Sequence, residues 1–104
     1  MTETLKNLEE ARLNQRARML KVMGDLNRQK ILEILRKGEQ CQCEIIPEIN
    51  QSQPTVSRHL GLMEEAGILV SRKEGTKVFY AVSHDGVFEV LDWVDKIVEQ
   101  SEGF

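Results

Sequence analysis

The chain has 104 residues, 30% of them charged, and a formal net charge of −3 at pH 7. This length predicts a single domain, residues 1–104, with a small core that dimerisation would help to stabilise. No run of about 20 apolar residues is present, and the N-terminus has no apolar signal core, so we expect a cytoplasmic protein with no membrane contact. Its two cysteines are then expected to be reduced thiols.

Charge is distributed unevenly along the chain. Residues 1–37 carry nine Lys or Arg and five Asp or Glu, whereas residues 81–104 carry one Lys and six acidic residues. We expect these two parts to attract each other, within one chain or between two chains. The negative total does not exclude DNA binding, because phosphates respond to the local surface, but it predicts weak non-specific binding with strong salt sensitivity.

Helical patterns fill the first half of the chain. Residues 3–23 predict a long, mostly polar helix. Asp25 or Asn27 can cap a second helix, which stops at Gly38. A short third helix is predicted over residues 41–49.

Residues 52–83 carry the most informative pattern. Ser52 can cap a helix, Gly67 ends it as a left-handed residue, and two strands follow, joined by a turn at Glu74-Gly75. The helix has one apolar stripe at Val56, Leu60 and Met63. A helix followed by a hairpin with a basic tip is the order of a recognition helix and a wing. We therefore expect an α+β, mainly α fold: a DNA-binding winged helix-turn-helix with about five helices and a two-stranded wing hairpin.

The end of the chain predicts one more helix. Ser83 can cap it. Its apolar stripe consists of Val87, Val90, Leu91, Val94, Ile97 and Val98. So regular a stripe on a terminal helix predicts a dimer seam; the alternative is that the helix only covers the core.

Eight side chains are candidates for DNA contact. They are Gln53, Thr55, Ser57, Arg58 and His59 on the recognition helix and Arg72, Lys73 and Lys77 on the wing. Gln and Arg have the bidentate geometry that reads adenine and guanine edges, whereas Ser and Thr more often hold phosphates. The wing cations should meet the backbone or the minor groove, unless they are merely solvated. For His59 a DNA contact and a packed structural role are both open.

From about Met19 to Ser83 the chain resembles the ArsR/SmtB family of metal-responsive winged-helix repressors. The most specific part is SQPTVSRHL…L…EAGILVSRKEG, residues 52–75. The resemblance implies a homodimer built on the N- and C-terminal helices, with both recognition helices facing double-stranded operator DNA, an inverted repeat. It also implies that an inducing ion releases the operator. No Gly-rich phosphate loop and no supported Ser-His-Asp set is present, so we expect no enzyme.

The segment EQCQCE, residues 39–44, is similar to the ELCVCD motif of the arsenic-sensing members. Cys41 and Cys43 are the candidate ligands, because thiolates suit thiophilic ions. Arsenite, antimonite or a soft metal ion is the expected inducer, and no cofactor is required. On an ideal helix side chains at i and i+2 point about 200° apart. We therefore expect ion binding to unwind the start of this helix and move the recognition helix.

Other interpretations of the cysteines stay open. Ile46 stands where some arsenic-sensing members have a third cysteine, so a third donor would be an exogenous thiol, water or a partner residue. The same pair could serve a redox-responsive repressor, and a disulfide would require the helix to open. Both cysteines could also be small buried hydrophobes in a non-sensing winged-helix interaction module. The zinc ligand set of other members, on the last helix, is not matched here, because that helix has no histidine beyond His84.

Overall fold

The computed structural model describes residues 3–101, apart from the side chains of residues 4 and 5. Within this range five α-helices and three strands follow one another: α1 (Glu3–Met23), α2 (Leu26–Leu35), β1 (Gln40–Cys41), α3 (Gln42–Ile45), α4 (Gln53–Glu65), β2 (Leu69–Glu74), β3 (Lys77–Val82) and α5 (Gly86–Glu99). A 3₁₀ turn at Ile46–Glu48 separates α3 from α4. The predicted winged helix-turn-helix is confirmed, with α3 and α4 as the helix pair and β2 and β3 as the wing.

Local capping sets the helix boundaries where the sequence predicts them. Asp25 caps α2, since its Oδ1 accepts hydrogen bonds from the Asn27 and Arg28 amides at 2.9 and 3.2 Å. The bond from the Arg28 amide is the main cause that lowers the pKa of the Asp25 carboxyl. Ser52 caps α4 by accepting from the Thr55 amide at 3.3 Å. Gly67, at φ +84°, provides the left-handed residue that ends α4.

The predicted cap of the last helix is wrong. Helix α5 begins at Gly86, and Asp85 holds the N-cap position without a side-chain cap bond. The amide of Gly86 instead donates to Nδ1 of His84 at 2.8 Å. Ser83 is instead held to the turn that precedes β2: its amide donates to the Ile68 carbonyl at 2.9 Å and its hydroxyl to the Gly67 carbonyl at 2.7 Å. These contacts, made across the fold, remove it from the helix start.

The core lies between α2, α4 and the sheet. The predicted stripe of α4 is fully buried there, as are Ile31 and Leu32 of α2, and Tyr80 of β3 joins them. The opposite face of α4 is exposed at Pro54, Arg58, Gly61 and Glu65. Burying one face of α4 therefore leaves the other, polar face directed at solvent.

The wing belongs to a three-stranded antiparallel sheet of order β1-β3-β2, not to an isolated hairpin. Strand β1 pairs Gln40 with Tyr80 and Cys41 with Phe79. Gly75, at φ +63°, supplies the positive dihedral angle in the two-residue loop between β2 and β3. The short β1 thus ties the cysteine segment to the wing.

The terminal helices leave many apolar side chains uncovered. Helix α5 is buried only at Val87 and Leu91 near its start. The exposed large hydrophobic residues of α1 and α5 are Leu8, Leu13, Leu20, Val90, Trp93, Val94, Ile97 and Val98. Most of the α5 stripe therefore does not cover the core of its own chain. No helix among residues 3–101 is long and apolar enough to cross a membrane.

Candidate nucleic-acid interface and cysteine pair

Two of the candidate DNA-reading side chains stand unengaged on the exposed face of α4. Gln53 is the first residue of the helix, and Arg58 lies on the face opposite the buried stripe. Both are exposed, and neither makes a side-chain hydrogen bond or ion pair within residues 3–101. Their amide and guanidinium groups are therefore available to a ligand outside the chain.

The other three candidates on α4 already have partners. Thr55 Oγ1 accepts a hydrogen bond from the Ser52 hydroxyl at 2.8 Å. Ser57 Oγ accepts from Nε2 of Gln42 at 2.6 Å. His59 Nδ1 accepts from Nε of Arg28 at 2.9 Å, which joins α4 to α2. This geometry favours the packed structural role for His59, and it makes Ser57 part of the contact between the two helices of the helix-turn-helix.

Of the three basic residues on the wing, two are without a partner side chain among residues 3–101 and one is engaged. Lys73 and Lys77 are exposed and form no ion pair in the described part of the chain. Arg72 donates through Nε and Nη2 to the two carboxylate oxygens of Glu39, at 2.9 and 2.7 Å, and through Nη1 to Glu74 at 2.8 Å. Its guanidinium also lies 4.6 Å from the Phe79 ring centroid.

These contacts have an electrostatic consequence at the base of the wing. The hydrogen bond from Arg72 lowers the pKa of the Glu39 carboxyl, and the bonds to Glu39 and Glu74 raise the pKa of Arg72. A DNA phosphate that bound Arg72 would have to compete with two carboxylates.

Only one of the two cysteines is helical. Cys41 is the last residue of β1 and the N-cap of α3, with φ −66° and ψ 142°, whereas Cys43 lies in the first turn of α3. Their Cα atoms are 5.1 Å apart, and the sulfurs are joined in a disulfide. The expectation that the side chains point about 200° apart is wrong, because it assumes that both residues are helical. No helix has to open to bring the sulfurs together, and the pair is oxidised here, in contrast to the expected thiols.

Cys41 also holds the start of α3. Its Sγ accepts a hydrogen bond from the Cys43 amide at 3.1 Å, and its own amide donates to Oε1 of Glu44 at 3.1 Å. This reciprocal pair is a capping box with a sulfur in place of the usual hydroxyl. A chemical change at this sulfur therefore acts directly on the first turn of α3.

An open depression of about 240 Å³ joins the cysteine pair to both DNA-facing elements. Its lining consists of Cys41, Gln42, Cys43, Ile46, Gln53, Thr76, Lys77 and Val78. It therefore touches the N-terminus of α4 and the tip of the wing. Ile46 contributes no donor atom, and no cluster of three or more His, Cys, Asp or Glu side chains within residues 3–101 could hold a metal ion. Once the disulfide is reduced, the donor set would be two thiolates, which fits a thiophilic ion that takes further ligands from outside the chain.

The side-chain contacts of three residues of this site were not predicted from the sequence: Arg28, Glu39 and Gln42. Each forms a side-chain hydrogen bond with a residue far away along the chain: His59 is 31 residues from Arg28, Arg72 is 33 residues from Glu39, and Ser57 is 15 residues from Gln42. The one available signal was the position of Gln42 between the two cysteines. The other two contacts leave no local pattern.

Comparison with known proteins agrees with this geometry. The sequence model of the family described as "Bacterial regulatory protein, arsR family" matches residues 25–71. An uncharacterized HTH-type transcriptional regulator of Methanocaldococcus jannaschii is 43% identical over 82 residues, which cover 78% of this chain and 92% of the relative. The arsenical resistance operon repressor of Escherichia coli is 36% identical over 84 residues, 80% of this chain and 68% of the relative.

A solved structure shares the fold. The solution NMR structure of a homodimeric winged helix-turn-helix DNA-binding domain from Mycobacterium bovis, a possible ArsR-family transcriptional regulator, superposes with a TM-score of 0.81. It is 26% identical and covers 90% of this chain and 87% of its own. The family and the fold are those of DNA-binding transcriptional regulators, not enzymes. This chain belongs to the ArsR family of winged-helix transcriptional regulators.

Proposed function

We propose that this protein is a homodimeric repressor that leaves its operator when a thiophilic inducer binds Cys41 and Cys43. One observation carries the proposal: the cysteine pair shares a depression with the N-terminus of α4 and the wing tip. An ion held there lies between the two elements that meet DNA. We further propose that the protein acts in the cytoplasm, where its operator is found.

Arg58 and Gln53 are the proposed base-reading side chains, because they are exposed and unengaged on the outer face of α4. Lys73 and Lys77 are the proposed backbone contacts of the wing. Thr55, Ser57, His59 and Arg72 remain candidates for DNA contact. Each of them would keep or exchange its present partner to make that contact.

The terminal helices supply the proposed dimer interface. Two depressions of about 380 and 340 Å³ adjoin α1 and α5, and both are lined by Leu20, Met23 and Val90. Beyond them Trp93 and Ile97 are 63% and 67% exposed. A second copy would bury this apolar surface. Two recognition helices related by a two-fold axis would then read half-sites of an inverted repeat about 34 Å apart.

Arsenite or antimonite is the proposed inducer. Two thiols displace two hydroxyls of arsenous acid as water, forming two As–S bonds and leaving one hydroxyl on arsenic. The names of relatives such as the Escherichia coli arsenical resistance operon repressor support this choice. No third sulfur lines the depression, so we expect weaker arsenite binding than at a three-cysteine site.

A redox-responsive repressor is the second candidate, and the Cys41–Cys43 disulfide of the structure favours it. Hydrogen peroxide would oxidise the two thiols to the disulfide and be reduced to two waters. In this case the change at the Cys41 sulfur is bond formation with Cys43 rather than ion binding. A non-sensing interaction module is the remaining alternative and predicts no response to either treatment.

One titration series separates these possibilities. The affinity of the reduced protein for a fluorescent duplex from its own promoter region is measured alone, with arsenite, and with diamide followed by dithiothreitol. The proposal expects arsenite to release the wild-type protein but not the Cys41→Ser, Cys43→Ser double variant, which still binds DNA. If diamide but not arsenite releases the wild-type protein from DNA, and dithiothreitol reverses the release, the redox candidate would be established. A wild-type complex that ignores both reagents would refute sensing.

A further inference from the structure

We propose that Gln42 is the positioning residue that transmits the chemical state of the cysteine pair to the recognition helix. The inference rests on the proposed function, because it presupposes that the cysteines sense an inducer. It adds how the signal leaves the site. The side chain lies between the two cysteines in sequence and lines the same depression.

The link is one short hydrogen bond between the two helices of the helix-turn-helix. Nε2 of Gln42, the first residue of α3, donates to Oγ of Ser57 on α4 at 2.6 Å. Both residues are half-buried, so water screens the bond only in part. Ser57 directly precedes Arg58, the proposed base-reading residue. A displacement of Gln42 therefore acts on the segment of α4 that reads DNA.

The cysteine pair controls the backbone on both sides of Gln42. The sulfur of Cys41 accepts the cap hydrogen bond from the Cys43 amide at 3.1 Å. This bond is observed with the disulfide in place. Reduction, or an ion bound to the reduced sulfur, would change what the sulfur can accept and so would change the geometry of the turn that carries Gln42. The turn of residues 41–43 then has two geometries, one for each chemical state of the cysteine pair, and the Gln42 amide meets Ser57 differently in each. A population shift requires such a contact, one that differs between the two states.

The remaining polar connections of the cysteine segment lead to the wing. Cys41 pairs with Phe79 in the sheet, and Glu39 binds Arg72. Among the described residues the Gln42–Ser57 bond is the side-chain hydrogen bond that joins the segment at residues 39–44 to α4. Removing it should uncouple α4 from the cysteines while the wing connection remains.

The test measures coupling and ion binding separately. Operator affinity of Gln42→Ala, Ser57→Ala and the double variant is compared with and without arsenite, and with and without diamide. Arsenite bound per chain is followed by near-ultraviolet As–S absorbance. Gln51→Ala is the matched control, since it removes an exposed glutamine in the turn before α4. Gln42→Glu is the conservative variant, because its carboxylate can accept from the Ser57 hydroxyl.

We expect a wild-type ratio of inducer-bound to free operator dissociation constants of about tenfold or more. In Gln42→Ala and Ser57→Ala the ratio should fall to within about threefold, with unchanged arsenite stoichiometry. The double variant should add nothing to either single change. Gln42→Glu should recover part of the ratio, and Gln51→Ala should keep all of it.

Two results would overturn the inference while leaving the proposed function intact. One is a Gln42→Ala protein whose ratio of inducer-bound to free operator dissociation constants equals that of the wild type. The other is loss of arsenite binding in that variant, which would make Gln42 part of the binding site rather than a link. If Gln42→Ala does not fold, as judged by circular dichroism, the Ser57→Ala ratio decides in its place. A wild-type protein that responds to neither arsenite nor diamide would overturn both the inference and the proposed function.

Discussion

Truncation of Ile97 should weaken the proposed dimer by a predictable amount. The residue lies near the end of α5 and is 67% exposed in the single chain. Ile97→Ala removes three carbons, and burial is worth about 0.8 kcal/mol for each CH₂ group. Scaling by the exposed fraction leaves about 1.6 kcal/mol per subunit. A two-fold interface contains the position twice, so the dimer should lose about 3 kcal/mol, a roughly 100- to 300-fold rise in its dissociation constant.

Sedimentation equilibrium over a range of protein concentrations measures this dissociation constant. Val70→Ala is the matched control, because Val70 is a 51% exposed aliphatic residue on β2, outside the terminal helices. The monomer fold of Ile97→Ala should be unchanged, since the side chain is mostly in water. An Ile97→Ala dimer as tight as the wild-type and Val70→Ala dimers would refute the assignment of α5 to the interface. A wild-type protein that is monomeric at micromolar concentration and on DNA would refute the dimer itself.

Three further changes test other parts of the molecule. Arg58→Ala should cost roughly 1–3 kcal/mol in operator binding and relax specificity at one base pair, and unchanged operator affinity in this variant would contradict base reading. Lys77→Ala should instead weaken binding to all DNA sequences alike and reduce the slope of log Kd against log salt by about one. Glu39→Gln should release Arg72 for phosphate, so DNA affinity should rise and the dependence of log Kd on log salt should steepen; an unaltered slope would show that Arg72 does not meet DNA. Asp25→Ala should lose about 1 kcal/mol of stability at pH 7 in urea unfolding. Because the folded-state pKa of Asp25 is lowered, its contribution is fully present above the unfolded pKa and is lost as pH falls through the folded one. The gap to wild type should therefore narrow below about pH 4, and a constant gap down to pH 3 would speak against the charged cap.

The sequence alone determined the features whose causes are local. The bounds of α1 agree with the predicted range of residues 3–23. The cap at Ser52, the left-handed Gly67 and the buried stripe of α4 were also predicted correctly. Of the two candidate caps for α2, Asp25 and Asn27, the structure uses Asp25. Each of these depends on a capping side chain, a backbone preference or a repeat of three to four residues, all within one or two turns of the chain. That local information was enough for the helix-turn-helix and the wing.

Only the tertiary structure decided what the candidate side chains do. The two-residue strand β1 is too short to show an alternating pattern, yet its pairing with β3 takes Cys41 out of the helix and brings the two sulfurs together. Partners far away in sequence engage Ser57, His59 and Arg72 and leave Arg58 unengaged. Such contacts form because packing of the core brings separate elements close together in space. The residues next to a given position in the sequence therefore do not indicate which distant residue its side chain will contact.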